Sequence, residues 1–297
     1  MVARKSLGRQ IFEIFNYTLL IGFAIACILP LIHVLAISFS NKTNVAAGAV
    51  GLWPLDFTIH SYSFVFQREQ FFKALLISVE RLVLGTGLNM LFIVLTAYPL
   101  SKQSHEFRGR TAFAWIFVVT LLFNGGLIPM YMNVKMFGIM DSIWALVLPA
   151  AIPVFNCILL LNFFRGLPKA LEEAAFVDGA SHWHTLWSIY LPLSKPALAT
   201  ILLFNMVMHW NSWFDGMILM NSPDHYPLQS YLQTVVVRVS STTFANMSAD
   251  QLAILSEISD QTVKAAQIFM AALPIMLVYP FLQRYFMTGI VLGSVKE

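Results

Sequence analysis

The chain has 297 residues, of which 58% are hydrophobic and only 11% charged, and its mean hydropathy is +0.71. Water-soluble domains carry about 25% charged residues, so the composition excludes a soluble globular protein and predicts an integral membrane protein. The net charge of +3 is small and scattered, which excludes the clustered basic face that nucleic acid requires.

A helix needs about 20 mainly apolar residues to cross a bilayer, and six segments qualify: 11–37, 72–98, 111–132, 142–164, 197–220 and 264–286. The first is too long for the apolar region of a signal peptide and lacks a small-residue cleavage site, so it reads as a retained span. Cys27 and Cys157 lie in apolar runs without CxxC or Cys/His spacing, as small apolar residues facing lipid or a neighbouring helix. Glu80-Arg81 in span two has two readings, a pair that snorkels near a helix end or a polar lining. Gly85-x-Gly87 lacks the third glycine of a dinucleotide fingerprint and reads as close helix packing.

Asn124-Gly125-Gly126 with Pro129 interrupts the third span, and Pro274 with Pro280 the sixth. Lipid cannot satisfy freed backbone groups, so such breaks need protein or water beside them. The fifth is interrupted by His209-Trp210-Asn211-Ser212-Trp213 and Asp215-Gly216, either an interfacial aromatic belt or the lining of a path through the membrane.

Six spans put both ends on one side, and placing them in the cytoplasm gives that side eleven Lys and Arg against six opposite. The positive-inside rule weighs short flanks most, and the groups around Lys102 and Lys169 decide the orientation. The expected organisation is a cytoplasmic N-terminus over 1–10, one six-span domain over 11–287, and a cytoplasmic tail over 288–297.

The cytoplasmic connection 165–196 carries unusually dense structural signals. Pro168 opens a helix at its first turn, where its missing N–H costs nothing, and Leu171, Ala174 and Ala175 recur at helical spacing. Gly179 allows a turn, and Ser181 caps a second helix. In that helix Trp183, Leu186, Trp187 and Tyr190 form one apolar side, and Pro192 ends it. Two short helices at an angle suit docking into another protein's groove.

Glu173-Ala174-Ala175, then Gly179, Ile189 and Leu191-Pro192 at their observed spacing, resemble the EAA motif of permease subunits in bacterial ATP-binding-cassette importers. The intervening Phe176-Val177-Asp178-Gly179-Ala180 resembles the carbohydrate branch. Thr96 to Lys102, Gly125 to Pro129, Trp210 to Phe214 and Gly289 to Lys296 are similar to the second permease of the maltose type, near permeases for alginate and uronate oligomers.

The resemblance implies an all-α, six-span type I importer permease in the bacterial inner membrane. Segment 165–192 would be the coupling helix seated in a cleft of an ATPase, with Glu173 facing a polar or basic partner and Gly179 allowing the bend. Asp178 is expected to hold the bend by a local hydrogen bond, and Trp183, Ile189, Leu191 and Pro192 complete the segment. The implied partners are a second permease, two copies of the ATPase, an extracytoplasmic solute-binding protein meeting 221–263, an oligosaccharide and membrane lipid.

No Gly-x4-Gly-Lys-Ser/Thr string occurs, so ATP and Mg are expected on the partner ATPase. His182 and His184 are two apart and cannot clamp a metal as i, i+4 histidines do, Gly109 stands where a zinc-protease helix begun at His105-Glu106 needs histidine, and no nucleophile elbow is present. No catalytic or metal residue is therefore expected. An ion-coupled sugar carrier, the rival reading, needs intramembrane carboxylates, and Glu80 is nearly the only one.

Sugars are held by stacking on aromatics and hydrogen bonding to amides and carboxylates. Trp210, Asn211, Trp213 and Asp215 supply that chemistry, and helical spacing pairs Trp210 with Trp213 or Asn211 with Asp215. In the maltose-type family much of the sugar site belongs to the other permease.

Overall fold

The computed structural model describes residues 7–237 and 259–294, and the described residues contain helices and no strand. Arg4, Lys5, Arg238 and Lys296, which are among the Lys and Arg of the orientation count, and part of the 221–263 connection lie outside them. Helix α1 is Leu7–Ser38, α2 Glu69–Ser101, α3 Arg110–Leu122, α4 Leu127–Met136, α5 Ile143–Val147 and α6 Val154–Arg165. Next come α7 Lys169–Val177, α8 His182–Thr185, α9 Lys195–Asn211, α10 Phe214–Leu219, α11 Leu228–Val237 and α12 Asp260–Ser294.

Three described stretches, Leu7–Ser38, Glu69–Ser101 and Asp260–Phe281, are long and apolar enough to cross a bilayer alone, and up to six spans result if each bent pair counts as one. The third expected span is bent by 116° between α3 and α4, where Gly126 has φ +88°, a conformation that residues with Cβ avoid. The fourth bends by 47° around Pro149 and Pro153. By contrast, Pro274 and Pro280 lie inside the unbroken helix α12 and do not interrupt the sixth. Each removes one backbone donor without an accompanying glycine, too little to end a helix of 35 residues.

The chain divides into two compact units, 1–69 with 234–273, and 70–233 with 274–297. In the first, the end of α1 is fixed by Ala36, Val45 and Val50, by Phe39 stacked on Phe57 and Tyr62, and by a 2.8 Å hydrogen bond between Ser38 and Tyr62.

The second unit is organised around α2. Its buried residues Phe71, Ala74, Ser78, Arg81, Gly85, Asn89, Ile93, Ala97 and Leu100 recur at three and four, so one face of the helix is covered by protein throughout. Ser78, Arg81 and Asn89 make part of this face polar, and each has a partner: Ser78 Oγ accepts from the Leu228 amide at 2.7 Å, Asn89 donates to the Ala150 carbonyl at 2.8 Å, and Arg81 is ion-paired with Asp215. Gly85 lets His209 approach, since a Cβ there would lie 2.5 Å from the ring, and His209 Nε2 meets Asn89 Oδ1 at 2.8 Å. Asn156 donates to Asn205 at 2.7 Å between α6 and α9. Such interhelical amide bonds give specific packing where apolar burial cannot, because lipid is as apolar as the helices. Gly87, in contrast, faces open space, so the packing role belongs to Gly85 alone. Cys157 is buried and Cys27 exposed, in keeping with a helix neighbour for one and a lipid-accessible surface for the other.

Candidate coupling site

Helix α7 begins after Pro168, which precedes the helix as its cap residue rather than opening its first turn. It ends in a backbone turn: the Gly179 amide donates to the Phe176 carbonyl at 3.0 Å and the Ala180 amide to that of Ala175 at 2.9 Å. This is the Schellman arrangement, and Gly179 holds its left-handed position with φ +82°. The Asp178 side chain is exposed, and the turn is closed by backbone groups rather than by the carboxylate hydrogen bond expected of it. Ser181 caps α8 as expected, its Oγ accepting from the His184 amide at 3.3 Å.

The apolar stripe expected beyond Ser181 divides. Leu186 and Tyr190 are buried, whereas Trp183 and Trp187 are about 60% exposed (61% and 60%). The chain winds as a wider π-turn over Leu186–Tyr190, so the 3.6-residue spacing that put all four on one side does not hold. The helix also continues through Pro192 to Leu193 before an 82° bend leads into α9.

Of the motif residues, Glu173, Ala174, Asp178, Gly179, Trp183 and Pro192 are exposed, Ala175 is buried, and Ile189 and Leu191 are half-buried. Ala174, Ala175, Gly179, His184 and Ile189 line a concave surface of about 690 Å³ between the arms of the bend. A wall of small side chains leaves the backbone open to a partner.

On the opposite side lies a junction that sequence reasoning missed. Lys102, at the end of α2, is 6% exposed and ion-paired with Glu172 of α7. Its Nζ also donates to the Tyr190 hydroxyl at 3.1 Å and sits over the Tyr98 and Tyr190 rings at 4.1 and 4.3 Å from their centroids. The Tyr190 hydroxyl in turn donates to Glu172 Oε2 at 2.6 Å. Burial pushes the Lys102 amine below its usual range, opposed by Glu172, and burial with the Glu172 carboxylate pushes the Tyr190 phenol up. Glu172 thus turns inward to Lys102 while Glu173, one residue on, is exposed, because successive helical side chains point about 100° apart. A signal was present in the Glu-Glu doublet beside a lone Lys102, but charge counting had used Lys102 only for orientation.

Span five is likewise rebuilt. Helix α9 ends at Asn211 and α10 starts at Phe214, so the pairs Trp210 with Trp213 and Asn211 with Asp215 do not share one helical face. Trp210 is 3% exposed and lines a small apolar cavity together with Leu82, Leu203, Met206 and Pro274, while Asn211 and Trp213 are exposed. Asp215 is ion-paired with Arg81 of α2, so Arg81 does not snorkel. Arg81 Nη1 donates to Asp215 at 3.1 Å and to the Ser212 carbonyl at 3.3 Å, satisfying the backbone freed by the break. Glu80 is exposed on the other side of the helix. At the far end of the unit, Asp141 meets His225 at 2.9 Å and accepts from the Asn221 amide at 2.9 Å; this hydrogen bonding holds its carboxyl below the ordinary range. Among the described residues no group of His, Cys, Asp and Glu is placed to hold a metal.

The chain is similar to known proteins over nearly its whole length. The chain is 40% identical over 287 residues to the polygalacturonan/rhamnogalacturonan transport system permease protein YtcP of Bacillus subtilis (strain 168), covering 97% of this chain and 99% of that protein. It is 24% identical over 300 residues to the arabinooligosaccharides transport system permease protein AraQ of Halalkalibacterium halodurans, covering 97% and 99%. A chain in the crystal structure of a bacterial ABC transporter involved in the import of the acidic polysaccharide alginate superposes with a TM-score of 0.84 at 34% identity, covering 96% of this chain and 100% of that one. A chain in a second crystal structure, of a bacterial alginate ABC transporter in complex with an alginate pentasaccharide-bound periplasmic protein, shares the fold with a TM-score of 0.54 at 19% identity over 94% and 96%. With residues 89–291 matching its family description as well, the chain belongs to the binding-protein-dependent transport system inner membrane components, the permeases of ABC importers.

Proposed function

We propose that this permease carries an acidic oligosaccharide inward across the bacterial cytoplasmic membrane, received from a solute-binding protein and driven by a cytoplasmic ATPase. The observation that carries the reading is the bent segment α7–α8, presented between α6 and α9 with Glu173, Ala174 and Asp178 exposed around a left-handed Gly179. Two ATPase copies that bind ATP and Mg would seat this segment and that of a second permease. Their closure moves the segments as rigid bodies, and the spans rock between outward and inward access, a known class of transition. Both ends of the chain face the cytoplasm in this reading, and the outer connection over 221–263 meets the binding protein.

The acidic substrate class is supported by the polygalacturonan/rhamnogalacturonan and alginate systems among the relatives. In this reading Asn211 and Trp213, exposed at the break of span five, would be the residues that touch the sugar, whereas Trp210 is buried and Asp215 is paired with Arg81.

The test is uptake of oligogalacturonate or alginate oligomers into proteoliposomes holding this chain with its second permease and ATPase, with the binding protein outside. ATP-dependent uptake that fails in Gly179→Asp, with the complex still assembled, is the expected result. Uptake that follows an imposed ion gradient without ATP would overturn the reading in favour of a secondary carrier.

A further inference from the structure

The Lys102 junction joins three places in the chain: the end of α2, the first arm of the coupling segment through Glu172, and the second arm through Tyr190. The backbone connects the coupling segment to α6 and α9, but reaches α2 only by way of other elements. A buried ion pair is weak evidence for stability, because desolvation offsets most of the attraction, and its best attested use is to fix one arrangement against alternatives. Here the pair is reinforced by a phenol hydrogen bond and two aromatic faces, so every strong partner of Lys102 is spent on holding α2 and both arms in one register. The apolar cluster of Ile93, Ala97, Phe164, Leu186 and Ile201 continues this attachment along α2, α6 and α9. A push on α7 is therefore resisted at Lys102 before α2 can be left behind.

We propose that Lys102, Glu172 and Tyr190 are positioning residues that carry the displacement of the coupling segment to span two, distinct from the exposed Glu173 face that meets the ATPase. The inference rests on the reading that α7–α8 docks to an ATPase.

The experiment uses the assembled importer in proteoliposomes with Glu172→Gln and Tyr190→Phe, the second keeping both rings and the ion pair. Sugar transported per ATP hydrolysed is expected to fall by roughly 5- to 150-fold, the usual range of coupling between linked sites, while binding to the ATPase persists. Spin labels at the exposed positions Gln103 and Ala170 supply a readout that folding alone would not move. Their separation stays constant between nucleotide states in the parent complex and changes in the variants. An unchanged transport ratio and label separation in Tyr190→Phe would overturn the proposal, as would loss of assembly in both variants with normal coupling in whatever assembles. If the parent complex itself shows no ATP-driven uptake, the importer reading falls with it; if the parent couples and the variants do too, only the junction falls.

Discussion

Arg81 and Asp215, 134 positions apart, meet through both carboxylate oxygens of Asp215, with the guanidinium 2% exposed. The pair closes the break in span five, since the same guanidinium also donates to the Ser212 carbonyl. Removing one partner strands the other charge, so Arg81→Met or Asp215→Asn is expected to cost about 3–5 kcal/mol, more than replacing both with apolar residues. Thermal inactivation midpoints of the purified chain check this; a double variant less stable than either single one would contradict it.

Gly85→Ala drives a Cβ against the His209 ring, 2.5 Å away. Overpacking of this kind costs about 1–3 kcal/mol. Gly87→Ala, with nothing within 4 Å, is expected to be neutral or slightly stabilising, so the two glycines separate in a melting experiment.

The two tryptophans of span five should separate as well. Trp210→Ala empties a buried site and is expected to cost about 3–5 kcal/mol. Trp213→Ala should leave the melting midpoint nearly unchanged and raise the KM for oligosaccharide uptake. Equal effects of the two on stability, with no change in uptake, would remove Trp213 from the substrate path.

Asp141 supplies a pH dependence with a definite sign. Its carboxyl is held below the ordinary range by His225, so its contribution is complete above the unfolded value of about 3.9 and is lost as pH falls through the lower folded value. Asp141→Asn should flatten the acid limb of a melting-midpoint curve between about pH 5 and 2. A limb of unchanged slope would show that the bridge to His225 and Asn221 is inert.

The helices, their approximate ends and the coupling segment were legible in the sequence, because lipid demands long apolar runs and because Gly179 and Ser181 act through local backbone geometry. The expected interruptions at Pro274 and Pro280 failed because a lone proline removes one bond from a long helix, whereas the bend at Gly126 combines a left-handed φ with neighbouring breakers. The four-residue apolar stripe from Trp183 to Tyr190 failed because a π-turn changes the angular period.

What the sequence determined by itself is the solvent of the protein and the family of the coupling turn, since both follow from composition and short-range spacing. Which charges face one another was decided only by the tertiary structure. Arg81 finds Asp215 and Lys102 finds Glu172 across 134 and 70 positions, and no local pattern encodes such a pairing. In a low-dielectric interior a charge must be matched by its spatial neighbour, and spatial neighbours are set by how the helices pack.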